Sequence, residues 1–374
     1  MFVRRTCLFF LLCFFAPFFR QEVSREQISL DQLLRENRYE FSVRDGEISG
    51  PGASFLKRLL SEPQFVAIGE EHGTREVPQF IWATCRSMAT KGLDAMAIEE
   101  GPLVTEKLRQ WTSEPDGSAH LAAFERQYPN SIAFFYWQQE FDLLSHCEQT
   151  TVPRIVHLWG LDQEFLGMPG FILHEILASH PGLKATTMAN KLLLQCNSDR
   201  QESLASGSWN DSCMFRLSAA DLASLQNALV RGGNRREQQL IAALIKTQHI
   251  YREHEGGHRY EANRERSLLL KHNFITDYQQ PSKAKPHPRV LLKFGGNHLY
   301  KGFDESNLND LGNFVSEVAD GLGSSSLHIE ILGIQGEHEQ QFGPGASDKA
   351  VAIEAGADSF ATLQSQMMLG VGSS

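Results

Sequence analysis

Two turns of the sequence share a pattern that could carry acid–base chemistry. Gly69-Glu70-Glu71-His72 and Gly295-Gly296-Asn297-His298 each place a histidine three residues after a glycine, directly behind an apolar run. An imidazole titrates near neutral pH and can therefore take up or release a proton during a reaction. The glycine permits a tight turn and a close approach of the backbone to a ligand. The repeated pattern predicts that His72 and His298 face a common cleft.

Acidic residues follow two further apolar runs. Glu99 and Glu100 come after residues 94–98, and Asp162, Gln163 and Glu164 come after residues 154–160. In an open α/β sheet, ligands bind beyond the carboxyl ends of the strands. Carboxylates and imidazoles from four strand ends would then meet at one edge of one sheet, and we expect the functional site there.

The segments between these turns alternate between strand and helix patterns. Apolar runs predict strands at 64–69, 94–98, 154–160, 289–294 and 327–332. Helical patterns cover 74–91, 131–146, 235–251 and 260–278. Strands separated by helices predict an α/β fold with a largely parallel central sheet flanked by helices. The mainly helical stretch 168–280 predicts a helical insertion between the third and fourth core strands, inside a single domain over 26–343.

The composition is that of a globular protein, with 41% hydrophobic and 21% charged residues among 374. A formal charge of −10 argues against a nucleic-acid-binding protein, which needs a basic surface. The Gly-, Ala- and Ser-rich residues 344–374 predict a loosely ordered tail.

The N-terminus has the pattern of a targeting segment. Arg4 and Arg5 precede an almost wholly apolar run over 7–19, which is too short to span a bilayer and fits a signal peptide. We therefore predict a signal peptide at 1–22 and a periplasmic or secreted protein, with no stable membrane span after cleavage. An uncleaved N-terminal anchor stays open, because no clear cleavage site ends the run.

Export would leave four cysteines in an oxidising compartment, at positions 85, 147, 196 and 213. Cys196 and Cys213 flank a polar stretch that looks like a loop. A disulfide between these two is the favoured pairing, and four buried thiols are the alternative.

Residues 68–76 (I-G-E-E-H-G-T-R-E) resemble the N-terminal signature of the erythromycin-esterase-like proteins. The Gly-x-x-His spacing is more similar to the related ChaN haem-binding and Tiki metallopeptidase branch, because those esterases usually have two residues between Glu and His. Ser267 stands where the family usually has Asp. Over about residues 55–335 the family's further elements occur in order: Glu99 after the second strand, the turn Gly160 to Gln163, Arg266 and Asn273 on a helix, and Asn297 with His298 after the last core strand.

The first interpretation of these residues is hydrolysis of an ester or amide bond by direct attack of water. His72 would be the base, with Glu70 or Glu99 orienting its ring, and His298 would be the acid for the leaving group. Arg266 would stabilise an oxyanion or hold an anionic group of the substrate. The substrate would be a small molecule or a peptide, and its candidate binding residues are Asp162, Gln163, Asn273, Asn297 and Glu76.

Two alternatives involve a cofactor. Glu70, His72, Glu99 and His298 offer nitrogen and oxygen ligands for a divalent metal ion that would activate water, as the Tiki resemblance implies. The ChaN resemblance implies haem or iron binding, with a His or Tyr as axial ligand that the sequence does not identify.

Three of the candidate residues also have a structural alternative. Glu100 could only favour the N-terminus of the helix that Pro102 begins. Asp162 could cap a helix, and Arg266 could be an ordinary surface charge. The oligomeric state cannot be read from the sequence.

Overall fold

The computed structural model describes residues 30–150, 156–280, 287–340 and 343–353. The chain forms two compact units, residues 1–39 and 40–374. The described part of the first unit contains helix α1 (Leu30–Glu36). The predicted signal segment at 1–22 and residues 354–374 of the predicted tail lie outside the described residues.

The second unit alternates strands and helices along the chain. Its strands are β1 (Ser42–Arg44), β2 (Glu47–Ser49), β3 (Phe65–Glu70), β4 (Ala95–Ile98), β5 (His157–Gly160), β6 (Val290–Gly295), β7 (Ser326–Ile331), β8 (Glu337–Gln340) and β9 (Lys349–Ala352). Its α-helices are α2 (Ala53–Ser61), α3 (Glu76–Ala89), α4 (Pro102–Thr112), α5 (Gly117–Gln127), α6 (Gln138–Thr150), α7 (Met168–Ala178), α8 (Leu183–Ser206), α9 (Cys213–Arg216), α10 (Ala219–Gly232), α11 (Arg235–Glu255), α12 (Arg259–Gln279) and α13 (Leu311–Gly321). Short 3-10 helices cover Trp209–Asp211 and Gly296–Leu299.

The core is a five-stranded parallel sheet with the strand order β5-β4-β6-β3-β7. This confirms the predicted α/β fold, and all five predicted strands lie within a few residues of their predicted positions. Glu70 pairs with Gly295 and Ile98 pairs with Lys293, so the carboxyl ends of the central strands line up at one edge. The pairs β1–β2 and β8–β9 are separate antiparallel hairpins.

Helices cover both faces of this sheet. Alternate strand residues such as Ile68 pack into a core shared with α3 and α6. The intervening residues, such as Leu292, pack into a second core shared with α12 and α13. Because both faces are buried, the central strands read as continuous apolar runs and not as alternating ones.

The predicted helical insertion is formed by α7–α12, which all lie between β5 and β6. Helix α11 ends at Glu255, and Gly257 then adopts a left-handed conformation with φ of 85° before α12 begins. Helix α12 returns to the sheet and contributes Leu270 and Phe274 to its second core. In the described part of the chain, no helix combines the length and apolar character that crossing a membrane requires.

Residues 131–137, here called the aromatic loop, are not helical, although the predicted helix ran from 131 to 146. Helix α6 begins only after them. The backbone N–H groups of Ala133 and Phe134 donate to Glu100 Oε1 at 2.8 and 3.1 Å. The buried Glu100 side chain therefore fixes the backbone of the aromatic loop before α6 begins.

Two disulfides join helices of the second unit. Cys85–Cys147 links α3 to α6, and Cys196–Cys213 links α8 to α9. The second is the predicted pairing, which is confirmed, and the alternative of four thiols is wrong. The polar stretch between them was expected to be a loop, but α8 continues through its first half. Its buried positions recur at helical spacing, at Leu192, Cys196, Asp199 and Ser203.

Candidate active site

The carboxyl ends of the strands bring most of the predicted side chains together. Glu70 is the last residue of β3, Glu99 directly follows β4, and His298 lies in the 3-10 helix after β6. Helix α12 supplies Arg266, and the N-cap position of α13 supplies Asp310. We call the resulting group the carboxylate–imidazole cluster: Glu70, His72, Glu99, Asp162, Arg266, His298 and Asp310.

Glu99 lies at the centre of the cluster. Its Oε2 accepts a hydrogen bond from the Gly295 backbone N–H at 2.5 Å, and its Oε1 accepts one from Arg266 Nη2 at 2.7 Å. The Nε2 atoms of His72 and His298 each lie 3.5 Å from one of the two oxygens. Burial alone would raise the pKa of the Glu99 carboxyl, but the charges of His298, His72 and Arg266 hold it well below its usual range. Glu99 is therefore an ionised, buried carboxylate.

His72 is held between two carboxylates. Its Nδ1 lies 2.9 Å from Glu70 Oε1, its Nε2 faces Glu99, and its ring stacks on Phe134 of the aromatic loop with centroids 3.7 Å apart. Burial opposes a positive charge here, but Glu99 and Glu70 outweigh it and raise the pKa of His72 to about 9. His72 consequently carries a proton at neutral pH.

His298 has the same arrangement with a different carboxylate. Its Nδ1 lies 2.6 Å from Asp310 Oδ2, while its Nε2 faces Glu99 Oε1. Burial raises the pKa of the Asp310 carboxyl, but the hydrogen bond and the electrostatic interaction with His298 outweigh it and leave that pKa below its ordinary value. In both histidines, a buried carboxylate fixes Nδ1 and leaves Nε2 directed at the cluster centre.

The glycines of the two Gly-x-x-His turns allow this close packing. A Cβ atom on Gly295 would lie 2.8 Å from His72 Nε2 and 3.3 Å from Glu99 Oε2. A Cβ atom on Gly69 would lie 2.8 Å from the Cα of Gly296. The two turns therefore pack against each other through bare backbone, which explains the repeated glycine in the sequence.

Arg266 binds carboxylates of the cluster on two sides. Its Nε donates to Asp162 Oδ1 at 2.9 Å, its Nη2 also contacts Asp162 Oδ2, and the same Nη2 donates to Glu99. Its pKa stays well above the ordinary value, because these carboxylates outweigh the effect of burial. This contact set favours a role in holding Glu99 over the expected role of binding a substrate anion.

The predicted substrate-binding residues are only partly brought together. Asp162 belongs to the cluster, and the backbone N–H of Gln163 donates to Asp162 Oδ1 at 2.8 Å. Asn273 donates to the carbonyl of Leu161, whereas the Asn297 side chain accepts from the backbone of the loop that follows it. Both asparagines therefore fasten backbone segments beside the cluster.

Glu76 is not brought into the cluster. Its side chain is 68% exposed and pairs with Arg75. It lines a separate cavity of about 1220 Å³ between α3, β7 and the β8–β9 hairpin, whose wall also includes Glu71 and Glu140. The family motif that nominated Glu76 thus leads to a different part of the surface.

Two further acids hold backbone instead of performing chemistry. Glu100 binds the aromatic loop, and burial raises its pKa to about 8. Glu164 Oε1 accepts from the backbone N–H of Leu103 at 2.7 Å in the first turn of α4. The helix-terminus role expected of Glu100 is therefore filled by Glu164, and Asp162 is not a helix cap because α7 starts after Gly167.

Sequence reasoning missed Asp310, Phe134 and a buried cation. Lys293 lies in the middle of β6 and is 2% exposed. Its Nζ donates to Glu70 Oε1 at 2.6 Å and lies 3.1 Å from Glu140 Oε1. The available signal was a single lysine inside an apolar strand, because a buried lysine requires a carboxylate partner.

The cluster does not fit a metal ion or haem. Within the described ranges, no group of three or more His, Cys, Asp or Glu side chains is arranged to hold a metal ion. Of the predicted ligands, Glu70 is already paired with Lys293 and Glu99 with Arg266. Both imidazoles have their two nitrogens directed at carboxylates, so an axial bond to haem would displace those contacts. We derive no catalytic step through either group.

Comparisons with known proteins give a fold and no family. No family model and no curated protein matches the sequence. Similar solved structures include a mutant of the erythromycin esterase EreC in its open conformation, with a TM-score of 0.57, 16% identity and coverage of 89% of this chain and 88% of that one. Another is a Bacillus cereus protein with a TM-score of 0.51, 13% identity and coverage of 86% and 79%. These likenesses support the resemblance at the level of the fold.

Proposed function

We propose that this protein is a hydrolase that cleaves an ester or amide bond by direct attack of water at the carboxylate–imidazole cluster. One observation carries the proposal. Buried carboxylates hold the Nδ1 atoms of His72 and His298, while both Nε2 atoms lie 3.5 Å from the same carboxylate, Glu99. Two positioned proton-transfer atoms beside one buried charge are suited to hydrolysis. The fold shared with an erythromycin esterase is consistent with this chemistry.

The two imidazoles have different roles in this proposal. Asp310 accepts from Nδ1 of His298 and so favours the tautomer whose Nε2 can take a proton from water. His72 carries a proton at neutral pH and can donate it. This reverses the roles expected from the sequence, because the carboxylates around His72 keep it charged.

The proposed reaction proceeds through a tetrahedral intermediate. His298 Nε2 accepts a proton from water as the water oxygen attacks the carbonyl carbon. The carbonyl oxygen becomes an oxyanion, and the positively charged His72 stabilises it through Nε2–H. The bond to the leaving group then breaks, and the leaving oxygen or nitrogen takes the proton from His72. The products are a carboxylic acid and an alcohol or amine. His298 then releases its proton to solvent water and His72 takes one up from it, which restores the starting state of both imidazoles.

We further propose that the enzyme is exported and acts on a small-molecule or peptide substrate.

The test uses two esters of butyric acid, one with a 4-nitrophenol and one with an alkyl alcohol leaving group. We expect His298→Asn to lower kcat/KM for both esters by roughly 100- to 10,000-fold. His72→Gln should slow the alkyl ester more, because alkoxide needs a proton on departure and 4-nitrophenolate does not. His120→Asn is the matched control, since His120 is exposed and pairs with Glu114. A folded His298→Asn protein with full turnover would overturn the proposal.

Elemental analysis tests the exclusion of metal from this mechanism. We compare the purified wild-type protein with the His72→Ala/His298→Ala variant after exposure to divalent ions. We expect no stoichiometric metal in either protein and no loss of activity with a chelator. A near-stoichiometric ion in the wild type alone would instead support a metallohydrolase, or haem uptake if that ion is iron.

A further inference from the structure

Lys293 and His72 donate to the same oxygen of Glu70. The lysine Nζ lies 2.6 Å and the imidazole Nδ1 lies 2.9 Å from Glu70 Oε1, while Glu70 Oε2 is buried without a hydrogen-bond partner among the described residues. Two cationic groups therefore compete for one carboxylate oxygen. A stronger electrostatic interaction of Glu70 with one of them weakens its interaction with the other.

Glu140 determines how strongly Lys293 draws on Glu70. It lies on α6 with its Oε1 3.1 Å from Lys293 Nζ, and it is 4% exposed. Burial and the neighbouring Glu70 charge raise the pKa of Glu140 to about 7, despite the opposing effect of Lys293. An ionised Glu140 takes part of the lysine charge, which leaves more of the Glu70 charge for His72.

Charged groups surround His72 and Glu70 on two sides, and beyond Glu99 lie Arg266 and His298 of the cluster. The imidazole faces Glu70 of β3, Glu99 directly after β4, the uncharged Phe134 and the backbone of Gly295. Behind Glu70, the charged groups are Lys293, Glu140 and the Glu330 carboxylate of β7. Of these, Lys293 contacts Glu70 directly, and Glu140 contacts Lys293.

We propose that Lys293 and Glu140 are positioning residues that divide the charge of Glu70, so that His72 holds its proton firmly but can still transfer it. A merely structural role explains the pair poorly, because buried ion pairs in such positions are often no more stable than apolar residues of similar size. Glu140 Oε2 also has no hydrogen-bond partner in the described structure, so the pair is not built for maximum stability. The catalytic part of this inference rests on the proposed hydrolase function.

Removing the charge of Lys293 and removing the charge of Glu140 should shift the pKa of His72 in opposite directions. Lys293→Met frees Glu70 for His72 and should raise the pKa of His72 by roughly one pH unit. Glu140→Gln leaves Lys293 to Glu70 alone and should lower it by a similar amount. Damage to the fold would not shift the two variants in opposite directions.

The measurement is an NMR titration of the His72 ring Cε1–H signal, assigned by its absence in His72→Gln. Lys91→Met is the matched control, because Lys91 forms an exposed pair with Glu62. If Lys293→Met fails to fold, the variant Lys293→Met/Glu140→Gln removes both partners of the buried pair and is measured in its place, with the same upward shift expected. Unchanged His72 titration in both single variants, or shifts in the same direction, would overturn the proposal.

Activity then separates this inference from the proposed function. With the alkyl ester, Lys293→Met should lower kcat by about threefold. The reason is that a His72 pKa raised by about one unit makes His72 a weaker acid, and a Brønsted slope of ~0.5 converts this into a threefold lower rate. The titration itself needs no substrate. If the His72 shifts are as expected but the wild-type protein hydrolyses no ester, the proposed function fails and the charge-sharing role of Lys293 stands.

Discussion

Replacing Gly295 by alanine tests whether the cluster depends on bare backbone at this position. The new Cβ would lie 2.8 Å from His72 Nε2 and 3.3 Å from Glu99 Oε2. A nonbonded carbon atom packs best at about 3.5–4.0 Å from another heavy atom. The imidazole must therefore move away from the new Cβ by roughly 0.7 Å or more. The residue at 295 has φ of −54° and ψ of 140°, which alanine adopts without strain.

The substitution should therefore damage activity far more than stability. The clash is relieved by the imidazole of His72, which is 27% exposed, and not by the sheet backbone. Alanine also reduces the freedom of the unfolded chain, which stabilises a protein by roughly 0.4–1 kcal/mol at a compatible site. A displacement of about 1 Å at a reacting group can cost about 100-fold in rate. We expect kcat to fall by roughly 10- to 100-fold while the free energy of unfolding changes little.

The assay measures turnover of 4-nitrophenyl butyrate and the free energy of unfolding in urea. Gly232→Ala is the matched control, because a Cβ there meets nothing within 4 Å. The NMR titration of His72 gives a readout without substrate, and its pKa should fall as the ring leaves Glu99. The reasoning is refuted if Gly295→Ala keeps both the wild-type turnover and the wild-type titration of His72.

Three further perturbations follow from the same contacts. Burial lowers the pKa of His72, but Glu99 and Glu70 outweigh it and raise that pKa from 6.5 to about 9 in the folded protein. The protonated His72 therefore stabilises the fold fully below pH 6.5, and this stabilisation is lost as the pH rises through 9. The free energy of unfolding should drop by up to about 3 kcal/mol over this window. The His72→Gln variant should show no such drop. Asp310→Asn keeps the shape of the side chain but permits the other His298 tautomer, and kcat for the alkyl ester should fall by roughly 100- to 10,000-fold with little change in Tm. Replacing Cys85 and Cys147 together by serine opens a crosslink spanning 62 residues and should cost about 4 kcal/mol in urea unfolding, against about 3 kcal/mol for the Cys196–Cys213 crosslink spanning 17. An equal or smaller cost for the longer crosslink would contradict the chain-entropy argument.

The sheet and its functional edge were predictable because they depend on local sequence. Each central strand is an apolar run, and each run ends in residues that an apolar core would not accept. Parallel connections then place all those ends on one side. Glu70, His72, Glu99 and His298 follow from this rule alone, and the structure does bring them into contact.

The different roles of Glu99 and Glu100 could also have been predicted from the sequence. Glu99 and Glu100 are consecutive at a strand end, where successive side chains point to opposite faces. Glu99 accordingly enters the cluster, while Glu100 binds the backbone of the aromatic loop on the other side. Applying the strand period beyond the last apolar residue would have separated the two roles.

The remaining partners depend on contacts that no local pattern encodes. Asp310 reaches His298 across twelve residues that include an irregular loop. Lys293 contacts Glu140, which lies on a helix more than 150 positions earlier in the chain. These positions follow from tertiary packing, which sequence periodicity does not specify.

The charge balance of the cluster explains why its proton matters. The cluster contains four carboxylates, those of Glu70, Glu99, Asp162 and Asp310. Two permanent cations pair with them, Arg266 and the neighbouring Lys293, and Lys293 also pairs with Glu140. The excess negative charge favours a protonated His72 and opposes any oxyanion formed nearby. An oxyanion can therefore develop only if the His72 proton lies close enough to neutralise it as it forms. Gly295→Ala moves that proton without changing any charge, so a loss of rate in that variant would measure the distance dependence of this neutralisation.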